Sequence, residues 1–163
     1  MNLINEYMIK RNKIELNEIS LGYTTVYLYK VEELDEAQVG YSVDENGNIL
    51  TGISDEDWKK EWLVIGYEDC CGDAIFTDMS NSEFPVFTAI HGVGKWNSQL
   101  ISSTFDNFIK ALGYIKEASR GRENPVKLEQ NPLTENEKEK ILSKIHHENK
   151  DIELLFWEDW LED

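Results

Sequence analysis

Cys70-Cys71-Gly72-Asp73, followed by Phe76-Thr77-Asp78, gathers two thiols and two carboxylates within nine residues. A carboxylate pair doing acid/base work must share one face. Asp73 and Asp78 have odd separation, so an unbroken strand points them to opposite faces. Asp73 is instead expected in a turn, accepting backbone N–H bonds beside Gly72, with Asp78 at a strand end. A nucleophilic thiol needs a base and an orienting group, and a zinc site wants about four soft or imidazole ligands at workable spacing. The imidazoles on offer are His91, His146 and His147, and none stands in a CxxC…HxxxH arrangement. Neighbouring cysteines join only in a strained ring, so Cys70 and Cys71 read as partly buried free thiols. Neither a metal nor a cofactor is expected.

His91 lies between Ile90 and Gly92, with Gly94 and Trp96 after it. A glycine-flanked His at a strand end, near an exposed Trp, marks a binding pocket or a His bonding to backbone as the chain turns. His91-Gly92-Val93-Gly94-Lys95 is no phosphate loop, because Trp96 follows Lys95 where Ser or Thr is needed, and no GxGxxG exists. His146-His147 reads as a solvated helix face. Phe156 and Trp160, four apart in an acidic C-terminal segment, read as one helix face covering the core.

Charge bounds the partners. Sixteen Lys plus Arg stand against 32 Asp plus Glu, a formal net charge of −16. Such a surface repels nucleic acid and anionic lipid, and it speeds encounter with a basic protein. Acidity that merely keeps the chain soluble is the plainer explanation. The first residues lack the charged and apolar regions of a signal peptide, and no run approaches the ~20 apolar residues of a membrane span. With free thiols, these features predict a cytoplasmic protein.

The elements that position these residues follow from periodicity. At 163 residues the chain suffices for one domain with its own core. Trp62 to Tyr67, Ala74 to Met79 and Phe84 to Ile90 are short apolar runs separated by Gly, Asp, Asn, Ser and Pro, the punctuation of an antiparallel meander. Apolar residues then recur at Phe105, Phe108, Ile109 and Leu112, one buried helix face, continuing to about Ser119. Upstream, Leu3 to Arg11 suggests a helix, Tyr23 to Tyr29 a strand, and Glu32 to Gln38 a helical turn. Val39 to Val43 and Ile49-Leu50 flank Asn46-Gly47 as a tight hairpin. Downstream, Arg122 to Pro132 reads as a connector. Thr134 and Glu137 have capping-box spacing ahead of a helix buried through Ile141, Leu142 and Ile145. Asp151 to Asp163 reads as a docking helix. The expected fold is α/β in the α+β sense: a central, mostly antiparallel sheet flanked by helices, with 122–163 as a helical extension packed on a single domain.

An ordered series resembles a known family. Trp58 precedes Trp62-Leu63-Val64-Ile65-Gly66. Gly72-Asp73 then leads through Ile75-Phe76 to Asp78, Pro85-Val86-Phe87 leads to His91-Gly92, and Ser103 precedes Phe105-Asp106-Asn107-Phe108. Over about Gly40 to Leu112 this is similar to the SUKH superfamily, named partly for a fungal regulator of cell-wall assembly. The early helix signature of that family is not recognisable before Gly22, and the segment after Gly121 has no counterpart. The resemblance implies the same fold, no enzymatic activity, and in bacterial relatives an immunity protein that neutralises a toxin domain. On that expectation Asp73, Asp78, His91 and Trp96 contact the basic toxin, with Asp55, Glu56, Asp57 and Asp69 as an electrostatic rim. The alternative is a hydrolase or transferase using Asp73, Asp78 and His91.

Overall fold

A computed structural model describes residues 2–162; Asp163, the end of the expected docking segment, lies outside them. Six strands form one sheet in chain order, every neighbouring pair antiparallel: β1 (Glu18–Leu21), β2 (Thr24–Leu28), β3 (Trp62–Glu68), β4 (Ala74–Asp78), β5 (Val86–Ala89) and β6 (Gln99–Ser102). The helices are α1 (Leu3–Asn12), α2 (Leu34–Ala37, entered from a 3₁₀ turn at Val31–Glu33), α3 (Phe105–Ala118), α4 (Pro125–Gln130), α5 (Glu135–Glu148) and α6 (Leu155–Glu162). The fold is α+β, with a central antiparallel sheet and flanking helices. No helix among the described residues is long and apolar enough to cross a membrane.

Both faces of the middle strands are covered, which is why β4 reads as continuously apolar rather than alternating. Ile65, Ile75, Val86 and Ile101 face the larger core, built with Tyr7 of α1, Phe105, Phe108 and Leu112 of α3, Ile145 of α5 and Trp157 of α6. Val64, Ala74, Phe76 and Ala89 face the other way, against Trp58 with Trp62 and Trp96. The 122–163 segment thus contributes to the main core through Leu128, Ile141, Ile145, Trp157 and Trp160.

Besides the packing of Trp58, one polar side chain ties the segment before β3 to the sheet. The register of β3 against β4 shifts between Val64 and Gly66. The Gln38 amide accepts from Val64 N at 2.9 Å and donates to Val64 O at 3.0 Å, closing the backbone groups beside that irregularity. Gly66 admits no side chain: a Cβ there would stand 2.2 Å from Tyr27 O across the β2–β3 pair.

Three local expectations are corrected. The Asn46-Gly47 turn forms, but only Gly47 has positive φ, and Asp44 closes the turn by accepting from Asn46 N and Asn48 N. The flanks make isolated bridges at Val39–Val43 and Val43–Ile49 rather than hairpin strands. Arg122 to Pro132 contains α4, because Pro125 sits at the first helical turn, where a missing N–H costs nothing, and Asn124 caps it. The capping box forms as the spacing requires, Thr134 Oγ1 accepting from Glu137 N and Glu137 accepting from Thr134 N.

Candidate functional site

Because the strands are antiparallel, the start of β2, the end of β3, the start of β4, the end of β5 and the start of β6 meet at one end of the sheet. Helix α6 lies across that end, seated by two indoles. Trp157 Nε1 donates to Ile101 O at 2.9 Å, and Trp160 Nε1 donates to Thr24 O at 3.2 Å. Between helix and sheet end is an open cleft of about 520 Å³. Glu68, Cys70, Cys71 and Asp73 line it from the β3–β4 turn, Ile90 from the end of β5, and Leu155, Phe156, Asp159 and Glu162 from α6. Among the described residues its lining carries four carboxylates and neither lysine nor arginine.

The β3–β4 turn is folded around Glu68, the last residue of β3, whose side chain is buried. Its carboxylate accepts from Asp73 N at 2.9 Å and from Cys71 N at 3.1 and 3.2 Å. That is the task expected of Asp73. Asp73 instead takes two bonds from His91, one from the backbone N–H at 3.1 Å and one between Oδ1 and Nδ1 at 2.8 Å. The imidazole rests against Gly72, whose φ of +80° turns the chain there. Both cysteines are exposed rather than partly buried, because the turn projects from the sheet end. The Cys71 thiol is pushed above its ordinary value, first by the Glu68 carboxylate beside it, then by desolvation and by Cys70. The Tyr41 hydroxyl is also raised, by burial and then by Asp73.

The other sequence-derived residues separate into two groups. Asp78 ends β4 at the opposite end of the sheet, where its carboxylate accepts from Ser80 N and Ser80 Oγ. It therefore lies away from the cleft and cannot act together with Asp73 and His91. Trp96 is not an exposed anchor. It packs on Trp58 and Tyr41 with ring centroids 5.1 and 5.4 Å apart, closing the second core. Asp69 Oδ1 accepts from Thr25 N at 2.6 Å, pinning the turn to β2. Asp57 accepts from Ser54 N, Glu56 pairs with Lys95 at 3.6 Å, and Asp55 stays exposed. Glu56 O accepts from Trp96 N, so this acidic loop is tied to the His91–Asn97 loop that borders the cleft.

Sequence reasoning missed Glu68, Leu155, Asp159 and Glu162. The last three stand four and three residues apart, one helix face, opposite the buried Trp157, Trp160 and Leu161. That second face was the available signal. Comparison with known families, with characterised proteins and with solved structures finds no match.

What the cleft can do follows from its lining. Four carboxylates around apolar Ile90, Leu155 and Phe156 suit a lysine or arginine whose stem packs on the apolar wall. The Asp73–His91 pair is the orienter and base half of a catalytic arrangement. Among the described residues, no hydroxyl or thiol hydrogen-bonds the imidazole to complete it.

Proposed function

We propose that this chain is a non-catalytic binding module, an immunity-type protein that neutralises a basic toxin domain in the cytoplasm by occlusion. The observation that carries this reading is the cleft itself: acidic on its β3–β4 turn and α6 sides, apolar at Ile90, Leu155 and Phe156, and free of lysine and arginine among the described residues of its lining. Cationic side chains on a nuclease-like toxin, otherwise used on phosphate, would enter it. There they would pair with Asp73, Asp159 and Glu162, while Leu155 and Phe156 supply apolar contact. The net charge of −16 steers the approach. The SUKH-like series of residues narrows the partner from a basic protein to a toxin.

The test is to search the neighbourhood of this gene for a toxin domain, purify that domain and assay its activity with this chain added. The expected result is inhibition at one equivalent, weakened by Leu155→Asp, whose side chain is exposed in the free protein. Full toxin activity at saturating chain overturns the immunity reading. A catalytic reading rests on Asp73–His91; turnover of a substrate, lost on Asp73→Ala with the fold intact, would favour it instead.

A further inference from the structure

Cys70, Cys71 and Glu68 carry donor atoms that all lie within 4.8 Å of one another. In an extended strand consecutive side chains face opposite ways, and two adjacent thiols cannot share a ligand. Here residues 69–71 form a turn and Gly72 takes positive φ, which brings both sulfurs to the side of Glu68. We infer that this turn is a metal site for a thiophilic divalent cation of the zinc class, with Cys70, Cys71 and Glu68 as its three protein ligands and the fourth position open to the cleft.

The chemistry of the donors fits that class. Zn–S bonds of about 2.3 Å and Zn–O bonds near 2.1 Å in a tetrahedron put donors roughly 3.6–3.8 Å apart, so the turn needs to close by about an ångström at most. Glu68 is already oriented, because Cys71 N and Asp73 N hold its carboxylate and leave lone pairs unused. Hydrogen-bonded ligands of this kind are the usual support for a metal. Binding breaks two S–H bonds, releases both protons to solvent and forms two metal–thiolate bonds. No electron moves, and three anionic ligands on a divalent ion leave a local charge of about −1. His91 stays outside the set, its Nδ1 held by Asp73. Hard cations such as calcium and magnesium are excluded by the two sulfurs, since those ions take oxygen ligands. The site requires no toxin, so its test is independent of the function proposed above.

The probe is Co²⁺ alone, added to the reduced full chain under anaerobic conditions. Thiolate-to-cobalt charge-transfer absorption should saturate at one equivalent and be displaced by Zn²⁺. Cys70→Ser and Cys71→Ser, both at exposed positions, should each weaken binding by tenfold or more, and Glu68→Gln should weaken it in the same direction. Added imidazole should shift the cobalt spectrum, because an open position accepts it. Absence of the absorption with both thiols reduced, or its persistence in the Cys70→Ser/Cys71→Ser chain, overturns the site. A spectrum unmoved by imidazole overturns the open position.

Discussion

Asn149 is fully buried where α5 ends, and it joins that helix to the β6–α3 junction. Its carboxamide oxygen accepts from Ser102 Oγ, Ser103 N and Ser103 Oγ at 2.8–3.0 Å, and its amide donates to Ile145 O at 3.0 Å. An alanine there strands the Ser103 N–H and the Ile145 carbonyl partner together. Leaving buried polar groups unpaired costs about 1–3 kcal/mol, so Asn149→Ala should lower the urea midpoint accordingly with the slope unchanged. A midpoint equal to that of the parent chain would show that water replaces the amide without penalty. Arg11 is an analogous lock towards the other edge of the sheet, at the end of β2. Its buried guanidinium donates to the Tyr29, Leu28 and Ile14 carbonyls and to Asn17 Oδ1, and among the described residues it uses no carboxylate in a chain rich in them.

At the scale of elements, α5 depends on its first turn. Glu137 sits below its ordinary carboxylate pKa of 4.5, chiefly because it accepts from the Thr134 backbone and then through Thr134's side chain, with Arg122 helping. A depressed folded-state pKa contributes stability that is present above the ordinary value and is lost as pH falls through the folded one. The melting temperature of the parent chain should therefore exceed that of Glu137→Gln at neutral pH, and the gap should close below pH 4.5. Other carboxylates titrate equally in both chains and cancel in the difference. A gap constant down to about pH 3 would remove the carboxylate from the cap. Helix α6 shows the complementary case, an element with two jobs: its Trp157–Trp160–Leu161 face holds the core while its Leu155–Asp159–Glu162 face makes the cleft wall.

For the whole molecule, charge and shape act on different rate constants. Rim carboxylates steer at distances comparable to a Debye length of about 10 Å at 0.1 M salt, whereas packed contacts govern dissociation. With the toxin domain used above, the association rate should fall steeply as salt rises and drop further in the Asp55→Asn/Glu56→Gln/Asp57→Asn chain. Those amides keep an acceptor for Ser54 N, so the loop is retained. Leu155→Asp should instead raise the dissociation rate. Stopped-flow mixing across a salt series separates the two, and an association rate indifferent to both salt and the triple replacement would take the acidic rim out of the mechanism. Trp96→Ala belongs to a different experiment, since it removes packing from the second core.

Local pattern by itself determined the strands β2 to β5, the helices α1, α3, α5 and α6 and the Thr134 cap, because each is encoded in apolar spacing or in contacts a few residues apart. Strands β1 and β6, the two sheet edges, escaped notice: each is four residues of which two are polar, with no longer apolar run around them of the kind that marks the equally short β5. The double coverage of the sheet was likewise invisible, since a continuous apolar strand does not say what lies on either side. Asp73 and His91 were legible as chemistry-bearing residues, and tertiary structure paired them. The remainder of the site was not legible. Glu68 looks like an ordinary strand-end acid until the turn folds around it, and α6 reaches the cleft from the far end of the sequence through two indole bonds to backbone. Burial leaves a periodic mark in sequence; a cleft between distant elements leaves none, because only packing decides which exposed faces meet.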